Sequence, residues 1–442
     1  MMATILEHPD AQTLLEAATL TPEQVNACSR RLRVFLPRYL DLFARSEQRD
    51  HATVILEGKL SGLDRKTSEP IANQAGVPRN PLQGFVGSSP WDDEAVMAEV
   101  RAHVREEWAD PNAVLVIDPS AFPKKGTHSC GVARQWCGRL GKVENCQVGV
   151  FLIYACRKGH VGLDRRLYLP KVWDEDAERR KECHVPEDVH YQERWRMALA
   201  QLDRCRDIPH AWVAGDDEFG RASEFRAELR QRGERYVLDV PCNTLVRDLE
   251  AKPPRRKRKR GRKRKVPFER ADEWAKRQPA TRWKRMMVRA GEKGPLEVEA
   301  LTVRVQTEQE GRVGPEERLV VTRTVEENAK TSYHLSNAPS DVKLEEVVRG
   351  RSERHRVEEV FEEGNGEVGL DHYEVRSWVG WLHHMTLSLL ALWFLALERG
   401  RVGGEKDTAD GVAAARGLHA AAGSAEANGA ADRRRDQPRA AA

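Results

Sequence analysis

The segment NAVLVID, residues 112–118, is a short apolar run that ends in an acid, Asp118. Val, Leu and Ile at consecutive positions are typical of a buried strand, and the acid marks the point where the chain leaves the sheet. The segment WVAGD, residues 212–216, has the same design and ends in Asp216. Two strands of one sheet are therefore predicted to present a carboxylate each at their ends.

The segments around these two strands predict an α/β fold. Residues 146–155 and 236–240 have the composition of strands, and residues 166–169 predict a further one. Residues 192–204 and 222–232 have apolar positions at helical spacing. The order β-β-β-α-β-α-β then predicts a mixed sheet flanked by helices.

The chain before this sheet is predicted to be helical. Residues 66–75 form a candidate helix that ends at Gly76, and a second candidate helix begins over residues 80–85. Two such helices joined by a tight turn are typical of a DNA-binding helix-turn-helix. A plain helical bundle has the same pattern, so both interpretations of the N-terminal region stay open.

A basic run follows the sheet. In residues 252–265, KPPRRKRKRGRKRK, eleven of the fourteen residues are Lys or Arg. Such a run repels itself and lacks apolar residues, so we expect a solvated, disordered linker or a surface for DNA phosphates. Residues 283–324 then contain alternating stretches that predict antiparallel strands, and residues 333–338 predict one more. Helical patterns return over residues 347–363 and 375–399.

Composition narrows the class of protein. A chain of 442 residues with 40% hydrophobic residues can fill the cores of two or three domains. The most apolar stretch, residues 385–397, is too short to cross a bilayer, which takes roughly 18 residues, and is predicted to be a buried helix. The first residues have no signal-peptide layout. These features favour a cytoplasmic protein that has no membrane partner.

The eight cysteines include no CxxC pair. In a chain of this length, such spacing favours reduced thiols in a cytoplasm over a disulfide framework. A zinc site built from His128, Cys130, Cys137 and Cys146 is conceivable, but its spacing fits no common ligand pattern and it is not favoured.

The two strand-end acids predict a site for a hard cation. Carboxylates from separate strands can converge at one edge of a sheet, and they suit Mg²⁺, which also binds substrate phosphates. Two such ions about 3.5–4 Å apart can activate a nucleophile and stabilise the leaving oxygen in phosphoryl transfer. An Asp at a strand end is more often a turn or cap residue, however, so this pattern alone does not decide the function.

Several long stretches resemble insertion-sequence transposases of the DDE superfamily. The stretch IDPSAFPKKGTHSCGVARQWCGRLGKVENCQ, residues 117–147, surrounds the first acid, and DRRLYLPKVW, residues 164–173, precedes the second. WVAGDDEFG, residues 212–220, contains the second acid, and RHRVEEVFEEGNGEVGLDHYEVRSW spans residues 354–378. The resemblance covers residues 118–397, about two thirds of the chain. It implies an RNase H-like core, with acids on the first strand, after the fourth strand and on a later helix.

The resemblance implies that Asp118, Asp216 and Glu358 are the catalytic, metal-binding triad. One branch of the family carries a tyrosine-arginine-glutamate-lysine signature, and Arg354 and Glu358 match its arginine and glutamate. Four residues apart on a helix, a guanidinium can lie beside the carboxylate and a DNA phosphate, although an ordinary salt bridge is the alternative. Asp217 is the rival of Asp216, and the competitors of Glu358 are Glu359, Glu362, Glu363 and Glu374.

The chain departs from this signature at two positions. Arg351 stands where the signature has tyrosine, and Asn365 stands where it has lysine. Arg351 can still contact a phosphate, whereas Asn365 can donate a hydrogen bond but supplies no charge. Neither change touches a predicted metal ligand, so activity stays compatible with the sequence.

Binding of DNA needs a basic surface, because phosphate contacts supply most of the non-specific affinity. Near the first acid, the candidates for phosphate contact are Lys124, Lys125, Arg134 and Lys142. Family members place a β-rich insertion between the second and third acids, where it contacts transposon ends. In the corresponding region here, Trp283 has basic neighbours and could stack on an unpaired base, although such a residue is more often buried.

With the resemblance, we expect a DNA transposase that cleaves DNA at the ends of its element and joins the 3′-hydroxyl to target DNA. The expected cofactor is two Mg²⁺ ions, for which Mn²⁺ can substitute. The expected partner is double-stranded DNA, bound by a homodimer in the bacterial nucleoid. Two rivals remain: a catalytically inactive, transposase-derived DNA-binding protein, and an RNase H-like nuclease that cuts without joining.

The predicted domain boundaries follow the changes of pattern along the chain. A helical, DNA-binding region comes first, and an insertion divides the RNase H-like core. The segments are residues 1–110 for the helical region, 111–242 for the first part of the core, 243–340 for the basic linker and β-rich insertion, 341–400 for the helical last part of the core, and 401–442 for a disordered tail.

Overall fold

The computed structural model describes residues 22–253, 265–291, 294–325 and 329–402. Most of the predicted basic linker, residues 254–264, and the predicted tail from residue 403 onward lie outside the described residues. Within the described ranges, twelve strands form one sheet that is flanked by helices, which confirms the predicted mixed α/β class.

Six helices precede the sheet in the described part of the chain. The prediction of a helix that ends at Gly76 is confirmed, because this glycine caps its helix with a left-handed φ of 67°. Phe43, Phe85 and Trp91 pack together in this region, and the last two rings are stacked at 5.5 Å. The helices are α1 (Pro22–Phe35), α2 (Pro37–Leu40), α3 (Ser46–Lys59), α4 (Ser68–Ala75), α5 (Arg79–Gly87) and α6 (Asp93–Trp108).

The core strands and helices follow one another along the chain in the predicted order, β-β-β-α-β-α-β, apart from one additional short strand. Its strands are β1 (Val114–Pro123), β2 (Ala133–Cys137), β3 (Lys142–Cys156), β4 (Gly159–Leu167), β5 (Trp212–Gly215) and β6 (Tyr236–Val240). Strand β1 lies between β3, which is antiparallel to it, and β5, which is parallel, while β6 lies parallel beyond β5. Both β2 and β4 pair with β3. Leaving aside the short β2, the strands lie across the sheet in the order β4-β3-β1-β5-β6.

Five helices accompany the core strands in the described chain. They are α7 (Lys171–Asp174), α8 (Ala177–Glu182), α9 (Arg194–Cys205), α10 (Asp217–Arg221) and α11 (Ser223–Gln231). The predicted helices over residues 192–204 and 222–232 therefore exist, with boundaries that differ by one or two residues. The predicted strand over residues 166–169 begins earlier, at Gly159, because residues 159–167 pair continuously with β3 apart from one bulge.

The prediction that Asp118 ends its strand is wrong. Strand β1 continues to Pro123, because residues 114–123 pair along their whole length with β3. Only the parallel pairing with β5 stops before the acid, at Ile117. Asp118 therefore lies at the end of the neighbouring strand rather than at the end of its own.

The insertion extends the core sheet. Its strands are β7 (Leu245–Asp248), β8 (Glu269–Arg270), β9 (Lys284–Gly291), β10 (Gly294–Gln309), β11 (Arg312–Thr324) and β12 (Thr331–Ser336), with helix α12 (Ala271–Lys276) after β8. Strand β12 pairs with β6 and joins the two regions into one sheet. A second apolar cluster that includes Trp274, Val303 and Leu319 nevertheless gives the insertion a core of its own.

The C-terminal helices cover the core. The predicted helix over residues 347–363 is divided into α13 (Leu344–Ser352) and α14 (Arg356–Glu367), with a short 3₁₀ turn at Glu353–His355 between them. The last helix, α15 (Trp378–Val402), is long and apolar enough to cross a membrane, contrary to the prediction that this segment is too short. In its most apolar 18-residue window, 89% of the residues are buried inside the protein, which confirms the predicted buried helix.

Candidate active site

Three acids lie in a row across three parallel strands. Gly215 of β5 pairs with the residue before Asp118 on β1 and with the residue before Asp239 on β6. The residue after Gly215 is Asp216. Because neighbouring strands lie about 4.8 Å apart, this register brings Asp118, Asp216 and Asp239 side by side.

Asp118 is the acid at the β1 end of this row. Its side chain is 17% exposed, and its carboxylate lies 3.5 Å from the guanidinium of Arg354. Burial raises the pKa of Asp118 to about 7; Arg354 opposes this rise, and the charges of Asp216 and Glu358 reinforce it. The negative charges of the other two predicted triad members therefore both act on Asp118.

Asp216 lies directly after β5, as predicted. Its carboxylate accepts a hydrogen bond of 3.0 Å from the backbone N–H of Glu218 at the start of α10. Burial raises the pKa of Asp216 to about 6, opposed by Arg354. The rival Asp217 has a side chain that is 48% exposed and pairs with Arg221, one turn along the same helix. This geometry favours Asp216 over Asp217 as the second acid.

Arg354 lies among four carboxylates. It contacts Asp118 at 3.5 Å and Asp239 at 3.6 Å, and it interacts electrostatically with Asp216 and Glu358 as well. Its side chain is 26% exposed, so these charges meet in a partly dry environment. Within the described residues Arg354 forms no direct ion pair with Glu358, so the simple salt bridge considered from the sequence is not observed.

Glu358 is exposed and lies in the first turn of α14. Its charge acts on both Asp118 and Arg354, so its carboxylate lies within electrostatic range of both. Glu362, another competitor, is exposed one turn further along α14. The three remaining competitors have basic partners elsewhere: Glu359 pairs with Arg356 at 2.9 Å, Glu363 with His160 at 3.2 Å, and Glu374 with Arg65 at 2.8 Å.

Asp239 is a site residue that the sequence analysis missed. Its carboxylate accepts a 2.7 Å hydrogen bond from His334 of β12 and contacts Arg351 at 3.1 Å. Burial alone would raise the pKa of Asp239, but His334 and Arg351 hold it well below its usual range. His334 is fully buried, and its other ring nitrogen lies 2.9 Å from the Thr322 hydroxyl. Asp239 thus pairs with both Arg351 and Arg354 at the β6 end of the row of acids.

The predicted DNA contacts differ in their accessibility. Lys125, Arg134 and Lys142 are exposed. Lys124 is half-buried, with its ammonium 3.5 Å from the centre of the Tyr373 ring, and burial lowers its pKa to about 8. Lys125 and Arg134 are therefore open to phosphates as the structure stands, and Lys142 is exposed but paired with Glu144 at 3.2 Å, whereas Lys124 packs against the core.

The other predicted contacts are engaged or half-buried. Arg351 is partly exposed, and its guanidinium is paired with Asp239 at 3.1 Å. Asn365 is half-buried on α14, and its side-chain oxygen is buried without a hydrogen-bond partner in the described chain. Trp283 is half-buried in the insertion, and the Arg323 guanidinium covers its ring at 4.1 Å. The stacking of Trp283 on a base would require Arg323 to move.

The donor chemistry of the site fits hard divalent cations. Asp118, Asp216 and Glu358 offer only carboxylate oxygens. Burial raises the pKa values of the two aspartates, and neighbouring negative charges add to the rise, so a bound cation would favour their charged forms. As the described side chains stand, no three His, Cys, Asp or Glu residues enclose a metal position, and Arg354 supplies the balancing charge.

The zinc set considered from the sequence does not assemble either. Cys137 and Cys146 pack in a small apolar cluster with Ala121 and Val148, whereas Cys130 belongs to the main core. All eight cysteines are free thiols, as predicted.

Acids on adjacent parallel strands of this sheet order, with a glutamate on a later helix, define the class of RNase H-like phosphoryl-transfer enzymes. A family model described as "DDE superfamily endonuclease" matches residues 38–295, more than half of the 442 residues. The chain therefore belongs to the DDE superfamily endonucleases. Members of this family generally use divalent metal ions, in keeping with the donor chemistry of the site.

Two further similarities concern shorter or more distant matches. The probable transposase for insertion sequence element IS701 of Microchaete diplosiphon is 34% identical over 94 residues, which are 21% of this chain and 25% of that protein. The match thus spans about a quarter of that relative's length. A cryo-EM structure of the piggyBac transposase synaptic complex with hairpin DNA aligns with 92% of this chain and 78% of that chain, at 12% identity and a TM-score of 0.37.

The Asp239→Asn variant is expected to unfold more easily than the wild type at neutral pH. The substitution leaves Arg351 and Arg354 with less negative charge, and losing one partner of a half-buried ion pair costs about 3 kcal/mol. Because the folded-state pKa of Asp239 lies below its ordinary value of 3.8, the wild-type advantage is present above that pH and is lost as the pH falls through the folded-state value. Thermal denaturation from pH 3 to pH 8 measures this difference.

Asp203→Asn is the matched control, since Asp203 forms an exposed ion pair with Arg232 at 2.9 Å. Exposed pairs contribute about 0–1 kcal/mol, so this variant should melt close to the wild type throughout. Equal stabilities of the Asp239→Asn variant and the wild type at pH 7 would contradict the anchoring role of Asp239.

Proposed function

We propose that this protein is a DNA transposase that cleaves DNA at the ends of its element and joins the freed 3′-hydroxyl to target DNA. The observation that carries the proposal is the convergence of Asp118, Asp216 and Glu358 on Arg354 in a chain that belongs to the DDE superfamily endonucleases. The partial similarity to a probable insertion-sequence transposase supports the same activity.

We propose that Asp118, Asp216 and Glu358 bind two Mg²⁺ ions, for which Mn²⁺ can substitute. When bound, such ions supply a Lewis acid for the scissile phosphate and lower the pKa of an attacking water or 3′-hydroxyl. Arg354 then has less carboxylate charge to balance, and its guanidinium is suited to bidentate contact with a DNA phosphate. Asp239 keeps Arg354 within reach of that position.

The proposed partner is double-stranded DNA, both at the transposon ends and at the target. Lys125, Arg134 and Lys142 are exposed and can contact phosphates. We further propose that a homodimer pairs two ends, and that the protein acts in the cytoplasm of a bacterial cell, at the nucleoid.

The test compares the wild type with Glu358→Gln and Glu362→Gln on DNA that carries the element's ends. We expect Mg²⁺-dependent cleavage and joining by the wild type and by Glu362→Gln. Glu358→Gln should bind the same DNA but lose roughly a thousandfold or more in cleavage rate, on the scale of removing one member of a catalytic set. Both glutamates are exposed on α14 one turn apart, which makes the second variant a close control.

Two outcomes would replace the proposal. Wild-type protein that binds end DNA but never cleaves it, with Mg²⁺ or Mn²⁺, would identify a DNA-binding protein derived from a transposase. That alternative is motivated by the two positions at which this chain departs from the family signature, Arg351 and Asn365. Cleavage without joining to a supplied target would identify a nuclease instead.

A further inference from the structure

The hairpin of β2 and β3 carries an exposed apolar patch that the proposed site does not use. Trp136, Leu140 and Val143 have exposed fractions of 59%, 45% and 52%. Trp136 pairs directly with Val143 across the hairpin, and Leu140 lies in the short turn between the strands. Large side chains grouped in this way on a surface mark an interaction site more often than scattered ones do.

This patch shares a sheet face with the catalytic acids. Asp118 pairs with Phe151 of β3, and Trp136 pairs with Val143 of the same strand. Phe151 and Val143 are eight residues apart, an even number, so the side chains of Asp118 and Trp136 point to the same face. At about 3.3 Å per residue, they lie roughly 26 Å apart along the strand direction.

The hairpin contacts the connection that follows α14, the helix that carries Glu358. Arg139, in the turn of the hairpin, donates a 2.7 Å hydrogen bond to Asp371 in the connection between α14 and α15. Lys124 at the base of the hairpin lies over the Tyr373 ring in the same connection. The patch therefore has a defined position relative to the candidate active site.

The charge around the patch fits nucleic acid. Arg134 stands two residues before Trp136 on the same face of β2, and within the described chain it forms no ion pair. Lys125 is exposed, and Lys142 is exposed and paired with Glu144 at 3.2 Å. An apolar patch of three side chains bordered by cations is too small and too basic for a stable interface with a second copy. Such a combination suits a DNA groove and its flanking phosphates.

We propose that this hairpin docks on duplex DNA roughly eight base pairs from the scissile phosphate, a spacing that follows from 26 Å at about 3.4 Å per base pair. Trp136, with Leu140 and Val143, packs against sugars and base edges, and Arg134 contacts a phosphate. The inference rests on the proposed function for the position of the scissile phosphate. The hairpin thereby sets how much flanking DNA the enzyme requires.

The experiment measures binding of end DNA by wild type, Trp136→Ala and Val172→Ala, without divalent metal so that no cleavage occurs. The duplexes extend either about four or about fifteen base pairs from the scissile phosphate, on each side in turn. We expect Trp136→Ala to bind the longer duplex about tenfold more weakly than the wild type, as removal of an aromatic contact to bases does, and to bind the shorter ones equally. Val172→Ala, which removes a 57%-exposed side chain on α7, should match the wild type on all duplexes.

Equal affinities of wild type and Trp136→Ala for every duplex would overturn the proposal, provided that thermal melting shows both to be folded. A change of oligomeric state in Trp136→Ala without DNA, seen by light scattering, would assign the patch to a second copy instead and would also overturn it. Because binding is measured without cleavage, the length dependence can hold even if the wild type never cuts DNA. Failure of the docking surface and failure of the proposed activity are therefore distinguishable.

Discussion

The Asp118→Asn variant is expected to lose Mg²⁺-dependent DNA cleavage and, in the absence of metal, to melt at a higher temperature than the wild type at pH 8. Asparagine keeps the shape of the side chain but removes the negative charge that a hard cation needs. Cleavage should fall by roughly a thousandfold or more, as it does when one member of a catalytic set is removed. Binding of end DNA should remain.

The rise in stability follows from the burial of the Asp118 carboxylate, to which the negative charges of Asp216 and Glu358 add. Burial, Asp216 and Glu358 raise the pKa of Asp118 to about 7, whereas the unfolded chain has the ordinary value of 3.8. The folded state therefore holds the proton more tightly, so wild-type stability is greatest below pH 4 and falls as the pH rises to about 7. Asparagine removes this loss, which is on the order of 1–4 kcal/mol at pH 8.

Thermal denaturation with and without Mg²⁺, at pH 5 and pH 8, measures both effects. Mg²⁺ should raise the melting temperature of the wild type at pH 8 and leave that of Asp118→Asn nearly unchanged. Asp217→Asn is the matched control, because Asp217 is the adjacent acid and pairs with Arg221 at the surface. It should cleave DNA and respond to Mg²⁺ like the wild type. An Asp118→Asn variant that melts below the wild type at pH 8 would contradict the conclusion that the buried, charged carboxylate of Asp118 destabilises the folded protein.

The buried parallel strands could be predicted because their pattern is local. Residues 114–117 and 212–215 are all buried, so their apolar composition is visible without any knowledge of the neighbours. The continuation of β1 over residues 119–123 was not predictable in this way. It contains two prolines and a serine, and its extended conformation follows from pairing with β3. Tertiary pairing here overrides weak local preference.

The role of Asp239 could not be predicted from its own segment, YVLDV. The acid follows three buried residues, much as Asp118 and Asp216 follow apolar runs, and this was the available signal. Its importance depends on the parallel register of β6 with β5, which the long connections between the strands determine. In the same way, the position of Arg354 between Asp118 and Asp239 requires the turn between α13 and α14. Spacing along one helix did not reveal it.

The Arg354→Gln variant is expected to have the opposite effect on stability from Asp118→Asn. The substitution removes a cation that acts on both Asp118 and Asp216. Among the largest influences on these two pKa values in the described structure, Arg354 is the only positive charge common to both. At pH 8, where both carboxylates are charged, the free energy of unfolding should fall by about 3 kcal/mol. At pH 5 the two acids can take up protons, so the loss should be smaller.

The same substitution should move metal binding and cleavage to higher pH. Arg354 lowers the pKa of Asp118 and of Asp216, so without it both values rise above about 7 and about 6. Because metal binding requires deprotonated carboxylates, half-maximal activity should shift upward in pH. The cleavage rate at its optimum should also fall by roughly a hundredfold, since a charged donor near the reacting phosphate is lost.

Mg²⁺ separates this account from a purely structural role of Arg354. If the guanidinium balances carboxylate charge that a cation can balance instead, Mg²⁺ should raise the melting temperature of Arg354→Gln at pH 8 by more than it raises that of the wild type. Arg354→Lys keeps the charge, so its stability and its pH dependence should lie between those of Arg354→Gln and those of the wild type. A variant Arg354→Gln that is unstable at every pH, and that Mg²⁺ does not stabilise, would show that Arg354 acts through packing alone. Recovery with Mg²⁺ would instead mean that this arginine and the catalytic metal act on the same carboxylates, so that Arg354 stabilises the folded site before metal and DNA are bound.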